Sequence, residues 1–141
     1  MSTVTYRLTS PRDVYEEDIS VPYGTNYPIT VTCKEHDEDT DPTNNPEFDF
    51  TGSSIALYIL SHHSDDNANA LVTIASQDWT ITENAAGTAA GKQNQIKHTL
   101  VWDTLIANLE LLVPYWYRIV VTDAGGDPYQ LQRGEFSLDD K

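Results

Sequence analysis

The sequence predicts an all-β protein, folded as an antiparallel β-sandwich of seven to nine short strands. Apolar side chains recur mostly at every second position, which is the period at which strand side chains change faces. The segments concerned are rich in threonine, valine, isoleucine and tyrosine, which suit a pleated surface. Turn-forming residues separate them, as in the runs 42–46 and 123–128.

Each predicted strand follows from this alternation. In segment 55–60 both parities are apolar, so we expect a strand that is covered on both sides. The predicted strands comprise residues 3–8, 29–34, 55–60, 71–75, 79–82, 96–102, 115–121 and 129–138.

The last strand contains a change of parity. Tyr129 and Leu131 share one parity, whereas Phe136 and Leu138 share the other. A β-bulge near Arg133-Gly134 would bring both pairs to the same face of the sheet.

The segment 103–114 follows a helical period instead. Its apolar residues have the spacing i, i+1, i+4, i+7 and i+8, and they are Leu105, Ile106, Leu109, Leu112 and Val113. Pro114 cannot continue a helix, and the stretch is too short to be stable alone. We therefore predict one helical turn near 103–112 that crosses between the sheets. Such a crossing before the penultimate strand is typical of immunoglobulin-like sandwiches.

Length and charge exclude several classes of function. The chain has 141 residues, of which 39% are hydrophobic, enough for one domain with its own core. Eight Lys and Arg residues face 22 Asp and Glu residues, which gives a net charge of −14. Such a chain repels phosphate backbones and anionic lipids, so we expect no nucleic acid and no membrane as partner. One cysteine and a start without signal-peptide features predict a soluble cytosolic product without an intrachain disulfide.

The first 26 residues allow two interpretations. Tyr15, Ile19, Val21 and Tyr23 are interspersed with acidic residues. Residues 1–26 are therefore an N-terminal arm or an edge strand, and residues 27–141 are the sandwich domain. An arm of this kind could lie on a neighbouring protein or add a strand to an open sheet edge.

Four segments together resemble a known family. They are 48–52 (FDFTG), 102–104 (WDT), 115–123 (YWYRIVVTD) and 133–138 (RGEFSL). This series is similar to the immunoglobulin-like domain of tailed-phage virion proteins, such as the N-terminal domain of baseplate upper proteins and small tail or capsid accessory proteins. The family usually has a glycine just before the aromatic strand, where this chain has Val113-Pro114.

The resemblance implies a structural protein rather than an enzyme, with no catalytic residue and no cofactor. It implies a place in the virion, after synthesis in the host cytoplasm, at the tail, connector or baseplate. Capsid decoration is the alternative. The implied partners are other virion proteins (tail, connector or major capsid protein), and we expect a symmetric homo-oligomer held by many modest contacts.

An acidic run is the strongest metal candidate. Asp37, Asp39 and Asp41 alternate as ligands 1, 3 and 5 of a calcium loop do. Pro42 stands where that loop needs a glycine, and Phe48 stands where it needs a bidentate glutamate. A looser calcium site stays open, but a solvated acidic loop is the interpretation we favour.

Other reactive side chains predict no catalysis. His62 and His63, with Asp65 and Asp66 after them, could share a metal only from a loop, because neighbouring strand residues point to opposite faces. The interpretation we favour is a polar turn after a strand. Cys33 lies on the apolar parity of its strand, so we expect a small buried hydrophobe rather than a nucleophile paired with His36. His98 shares its parity with Ile96 and Leu100, so we expect a half-buried, hydrogen-bonded histidine.

Aromatic residues are the interface candidates. Tyr115, Trp116 and Tyr117 are consecutive, so both faces of their strand receive a ring. We expect one tyrosine to make the corner hydrogen bond of immunoglobulin-like folds and Trp116 to face outward. Together with Tyr15 and Tyr23, Trp116 is predicted to contact a partner protein. The alternative is a carbohydrate-binding module for host adhesion, with Trp116 or Trp79 as the platform.

Overall fold

The computed structural model describes residues 2–8, 15–35, 50, 52–82 and 95–141. These residues form ten strands and one helix. The strands are β1 Ser2–Leu8, β2 Tyr15–Glu16, β3 Ile19–Val21, β4 Tyr27–Glu35, β5 Ser54–Leu60, β6 Val72–Ile74, β7 Thr80–Thr82, β8 Gln95–Leu100, β9 Tyr115–Thr122 and β10 Pro128–Leu138. The helix α1 spans Trp102–Asn108, and two 3₁₀ turns span Asn67–Asn69 and Ser76–Asp78.

The strands form two sheets. One has the order β1-β4-β8-β7, and the other has the order β2-β10-β9-β5-β6 with β3 also on β10. The first order is the A-B-E-D order of an immunoglobulin sheet, and β10-β9-β5-β6 is the G-F-C-C′ order of its partner sheet. The chain therefore has an immunoglobulin-like β-sandwich fold, and the predicted fold class is confirmed.

The pairing at one outer edge of each sheet is parallel, whereas the inner pairs are antiparallel as predicted. β1 pairs in parallel with β4, and both β2 and β3 pair in parallel with β10. Residue alternation shows which segments are strands but not their direction. A strand can form its backbone hydrogen bonds with an edge strand in either direction. The ten strands also exceed the predicted seven to nine, since residues 15–21 supply two edge strands, β2 and β3, beyond the eight predicted segments.

The core lies between the sheets, where the predicted alternation holds. In β9, Tyr115, Tyr117, Ile119 and Val121 are buried, while the residues between them are half-buried. In β5, Ile55, Leu57 and Ile59 face the core, and Leu60 is buried on the other side, as expected for a strand covered on both faces.

The predicted bulge exists, but it lies earlier in β10. The register against β9 shifts between Gln130 and Gln132, not at Arg133-Gly134. Leu131 and Gln132 are consecutive and both buried, because the shift turns them towards the same side. Phe136 and Leu138 then share the core face with Leu131, as predicted.

The crossing between β8 and β9 contains α1, as predicted, but the helix is shorter than the apolar spacing suggests. Leu105 and Leu109 are buried, whereas Ile106 and Leu112 are 38% and 65% exposed. Leu112 has a φ of 62°, so the chain has already left the helix there, and its N–H donates to the Leu138 carbonyl. Trp102 begins α1 instead of ending β8.

A tyrosine closes this crossing. The backbone N–H of Glu110 donates to Tyr115 Oη at 2.8 Å. Tyr115 is the first residue of β9, and its partner lies five residues upstream, which is the arrangement of a tyrosine corner. The predicted corner hydrogen bond is thus confirmed.

Gly134 allows the edge segment 15–21 to dock on β10. A Cβ at this position would stand 2.1 Å from the Glu17 carbonyl oxygen. The Glu17 N–H donates to the Arg133 carbonyl at 3.0 Å, and Asp18 Oδ1 accepts the Glu135 N–H at 3.0 Å. These bonds hold the backbone of the edge segment against β10 where only a glycine fits.

We expect Gly134→Ala to lower the free energy of unfolding by about 1–3 kcal/mol, because backbone atoms must separate to admit the methyl group. Gly125→Ala is the control, since its added Cβ meets only the Asp123 carboxylate, at 3.3 Å. Urea unfolding of both variants measures the effect. Equal midpoints for the two variants would contradict this account of the docking.

Candidate functional site

The outer face of β9 carries the first functional candidate. Trp116 and Arg118 are half-buried on this face, opposite the buried Tyr115 and Tyr117. The prediction that Trp116 is the outward ring is therefore confirmed. The ring lies edge-on to His63, with ring centroids 5.5 Å apart.

Trp116 lies in a groove between β9 and the edge segment 15–21. The groove has a volume of about 550 Å³, within the usual range of ligand sites. Its walls combine the aromatic ring of Trp116 and the buried Leu60 with the charged residues Arg118, Arg133 and Asp18. We call this space the Trp116 groove.

The two arginines of the groove differ in their partners. Arg133 donates from Nε and Nη2 to Glu16 Oε1, at 3.0 and 2.8 Å, in an exposed ion pair. Arg118 donates from Nη2 to the carbonyl oxygen of Asp65, and its buried Nε has no partner among the described residues. Glu16 therefore neutralises the charge of Arg133, whereas among the described residues Arg118 contacts only a backbone carbonyl.

A buried hydrogen-bond network supports the floor of the groove. Tyr117 Oη donates to the Glu17 carbonyl at 2.5 Å, and Gln132 Nε2 donates to Tyr117 Oη at 2.8 Å. Burial raises the pKa of the Tyr117 phenol above its ordinary value of 10.0; the Glu17 and Asp18 carboxylates raise it further, and the Gln132 hydrogen bond offsets part of the rise. The neutral phenol thus ties the edge segment to both central strands.

The second candidate is an apolar patch at one end of the sandwich, which we call the end patch. Of the five large hydrophobic side chains exposed among the described residues, four belong to the connections at this end: Tyr23, Val101, Ile106 and Leu112. Tyr23 is 45% exposed, and its ring packs on Trp102 with centroids 5.2 Å apart. Asn26 Oδ1 accepts the Trp102 N–H at 2.9 Å, so the β3–β4 connection is fixed to α1.

The predicted interface residues thus fall in different surroundings. Trp116 lies in the groove and Tyr23 in the end patch. The backbone of Tyr15 pairs with Gln132 at the sheet edge. The calcium candidates Asp37, Asp39 and Asp41 lie outside the described residues, and so does the side chain of Cys33, so these predictions are not tested.

Trp79 is wrong as a sugar platform. It is 7% exposed, and its ring packs against His98 with centroids 5.5 Å apart. His98 Nδ1 lies 2.9 Å from the Asp78 carbonyl, which confirms a half-buried, hydrogen-bonded histidine. His62 and His63 stack in an exposed turn after β5, also as predicted.

Within the described ranges, no three His, Cys, Asp or Glu side chains come together as metal ligands. In the same part of the chain, no helix has the length and apolar character to span a bilayer.

Sequence reasoning missed Arg118 and Gln130 as groove residues. Arg118 is two residues from Trp116, so the same alternation already placed it on the outer face. The opposite wall comes from the segment 15–21, whose pairing with β10 has no sequence signal. The sequence therefore indicated the β9 side of the groove but not the opposite wall.

Neither a family model nor a curated protein matches the sequence. One similar chain is in the crystal structure of ICOS in complex with ICOS-L and an anti-ICOS-L VNAR domain, with 10% identity and a TM-score of 0.34, covering 90% of this chain and 55% of that one. The chain thus spans about half the length of that match. Another is murine CRIg, with 7% identity and a TM-score of 0.27, covering 88% of this chain and 93% of that one. Because both TM-scores are below 0.5, the immunoglobulin-like fold is assigned from the strand order of this chain and not from these matches.

Replacing Tyr117 by Phe tests the buried network. The variant leaves the Glu17 carbonyl and the Gln132 amide without this partner, which should cost about 1–3 kcal/mol of unfolding free energy at neutral pH. Because the folded state raises the pKa of Tyr117, wild-type stability falls as the pH rises above 10.0, where the unfolded phenol ionises first. The difference between wild type and Tyr117→Phe should therefore be constant up to about pH 9 and shrink as the pH rises through 10.0 to about pH 11.

Urea unfolding across this pH range measures the difference. Tyr58→Phe is the control, since it removes the same hydroxyl group from a half-buried tyrosine on the outer face of β5, away from this network. A constant gap between wild type and Tyr117→Phe would show that the phenol does not titrate as described.

Proposed function

We propose that this chain is a non-enzymatic structural module that holds a partner protein through the end patch. The observation that carries the proposal is the concentration of exposed apolar side chains there, between 38% and 65% exposed. Large apolar side chains exposed together on one part of a surface are typical of protein-interaction sites. Tyr23 and Trp102 add aromatic rings, which are common anchors of interfaces.

Acidic residues border the patch and indicate the partner's chemistry. Asp103 and Glu110 lie within the β8–β9 connection, and Asp139 and Asp140 follow β10. In a chain with a net charge of −14, this border favours a partner with an apolar centre and a basic rim. Like charges disfavour direct patch-to-patch contact between two copies. A symmetric oligomer would therefore be arranged by the partner's lattice.

The resemblance to immunoglobulin-like domains of tailed-phage virions gives this proposal its setting. We propose that the partner is a virion protein of the tail, connector or baseplate, with capsid decoration as the alternative. The setting rests on the four sequence segments alone.

Matched charge substitutions test the end patch. Ile106→Glu places a charge at a side chain that is 38% exposed inside the patch, and Leu71→Glu does so at one that is 41% exposed outside it. Both variants should melt as the wild type does, because neither side chain is in the core. We expect Ile106→Glu to lose incorporation into phage particles, and Leu71→Glu to retain it, by mass spectrometry of purified particles.

Normal incorporation of Ile106→Glu would contradict the role of the patch. Absence of the wild-type chain from purified particles would contradict the virion setting. Deleting residues 1–26 is a poor substitute for these variants, because it removes Ile19 and Val21, which are 2% and 0% exposed in the core.

A second candidate function, carbohydrate binding for host adhesion, is favoured by the Trp116 groove. An aromatic ring bordered by polar side chains is the arrangement that a sugar platform needs. Glycan-array binding by the wild type that disappears in Trp116→Ala would support it. Trp79→Ala carries no such information, because Trp79 is in the core.

A further inference from the structure

The Trp116 groove contains polar groups that have no hydrogen-bond partner in the described part of the chain. Arg118 Nε and Gln130 Oε1 are buried atoms with no hydrogen-bond partner among the described residues, and both side chains line the groove. Buried polar groups without partners are costly, and the few that occur in folded proteins call for an explanation. A ligand that offers an acceptor to Arg118 Nε and a donor to Gln130 Oε1 would complete the hydrogen bonds of both atoms.

The donor is a half-buried cation. Within the described chain Arg118 contacts the Asp65 carbonyl and no carboxylate, whereas its neighbour Arg133 has Glu16. Guanidinium groups bind carboxylates more strongly than other acceptors, because both partners are charged and planar. The chemistry therefore points to a carboxylate on the ligand at Arg118.

The remaining lining selects among carboxylate carriers. Gln130 Oε1 and the carboxylates of Glu16 and Asp18 are acceptors suited to hydroxyl donors, and Trp116 offers an apolar ring surface. A peptide with several acidic side chains would be repelled by Glu16, Asp18 and the net charge of −14. A saccharide brings one carboxylate among many neutral hydroxyl groups, so it matches both the cation and the acceptors.

We propose that the Trp116 groove binds an acidic saccharide, with Arg118 on its carboxylate, Gln130 on a hydroxyl group and Trp116 against the sugar ring. The inference rests on the second candidate function and specifies its ligand class. It is independent of the end patch.

The experiment titrates the full chain with glucuronate-, galacturonate- and sialic-acid-bearing oligosaccharides, followed by amide NMR and tryptophan fluorescence. The matched probe for each is its carboxyl-reduced form, which keeps the hydroxyl groups and loses the charge. A triglutamate peptide tests whether the groove instead binds the carboxylates of an acidic peptide. Arg118→Gln is the test variant, and Lys97→Gln makes the same change of net charge on β8, in the opposite sheet.

We expect at least one acidic saccharide to bind, and carboxyl reduction to weaken binding about tenfold, the value of one charge-assisted hydrogen bond. Arg118→Gln should weaken binding of the acidic form by a similar factor and leave the reduced form unchanged, while Lys97→Gln binds as the wild type. Arg118→Lys keeps the charge without the Nε donor and should give an intermediate affinity. It serves as the second variant if the glutamine variant is unstable.

Three results would overturn the inference. If the reduced saccharides bind as well as the acidic ones through Trp116, carbohydrate binding stands and the carboxylate assignment fails. If triglutamate binds and no saccharide does, the ligand class is wrong. If no probe shifts the Trp116 or Arg118 signals, both the inference and the second candidate function fail.

Discussion

The docking of the edge segment 15–21 on β10 is the contact on which the functional surfaces depend. It needs a position without a side chain at Gly134 and a neutral phenol at Tyr117, both facing the Glu17 carbonyl. Ile19 and Val21 then enter the core at 2% and 0% exposure. Backbone hydrogen bonds, close packing and burial therefore act at the same few residues, and loss of any one of them weakens the others.

This docking gives one surface its shape and the other its position. The Trp116 groove exists because the edge segment supplies a wall opposite the outer face of β9, with Glu16 and Asp18 beside Arg133. The same segment continues beyond Val21 to Tyr23, whose ring packs on Trp102 of α1. A single edge element thus connects the sheet face to the end of the sandwich.

The two surfaces differ in how they would hold a partner. The end patch offers exposed apolar area with an acidic border, which suits a protein with a basic rim. The groove offers one cation with an incomplete set of hydrogen bonds beside an aromatic ring, which suits a small polar ligand. Because different residues form them, substitutions can separate protein contact from saccharide binding.

The sequence by itself determined the local features. Two-residue alternation identified β4, β5, β8 and β9, and the apolar spacing after β8 identified the crossing that contains α1. It also placed Trp116 outward, because Tyr115 and Tyr117 share the core parity. Each of these features depends on residues close together in the chain, so a pattern can show it.

Only the tertiary structure decided what depends on distant residues. The parallel direction of β1, β2 and β3, the position of the predicted bulge between Gln130 and Gln132, and the exposure of Leu112 depend on contacts with other strands. The groove joins Asp18 to Arg118 across about a hundred positions of sequence, and no alternation pattern encodes that meeting. Local periodicity determines which side chains of a strand face the core. Pairing at the sheet edges determines which outward side chains lie together in a groove.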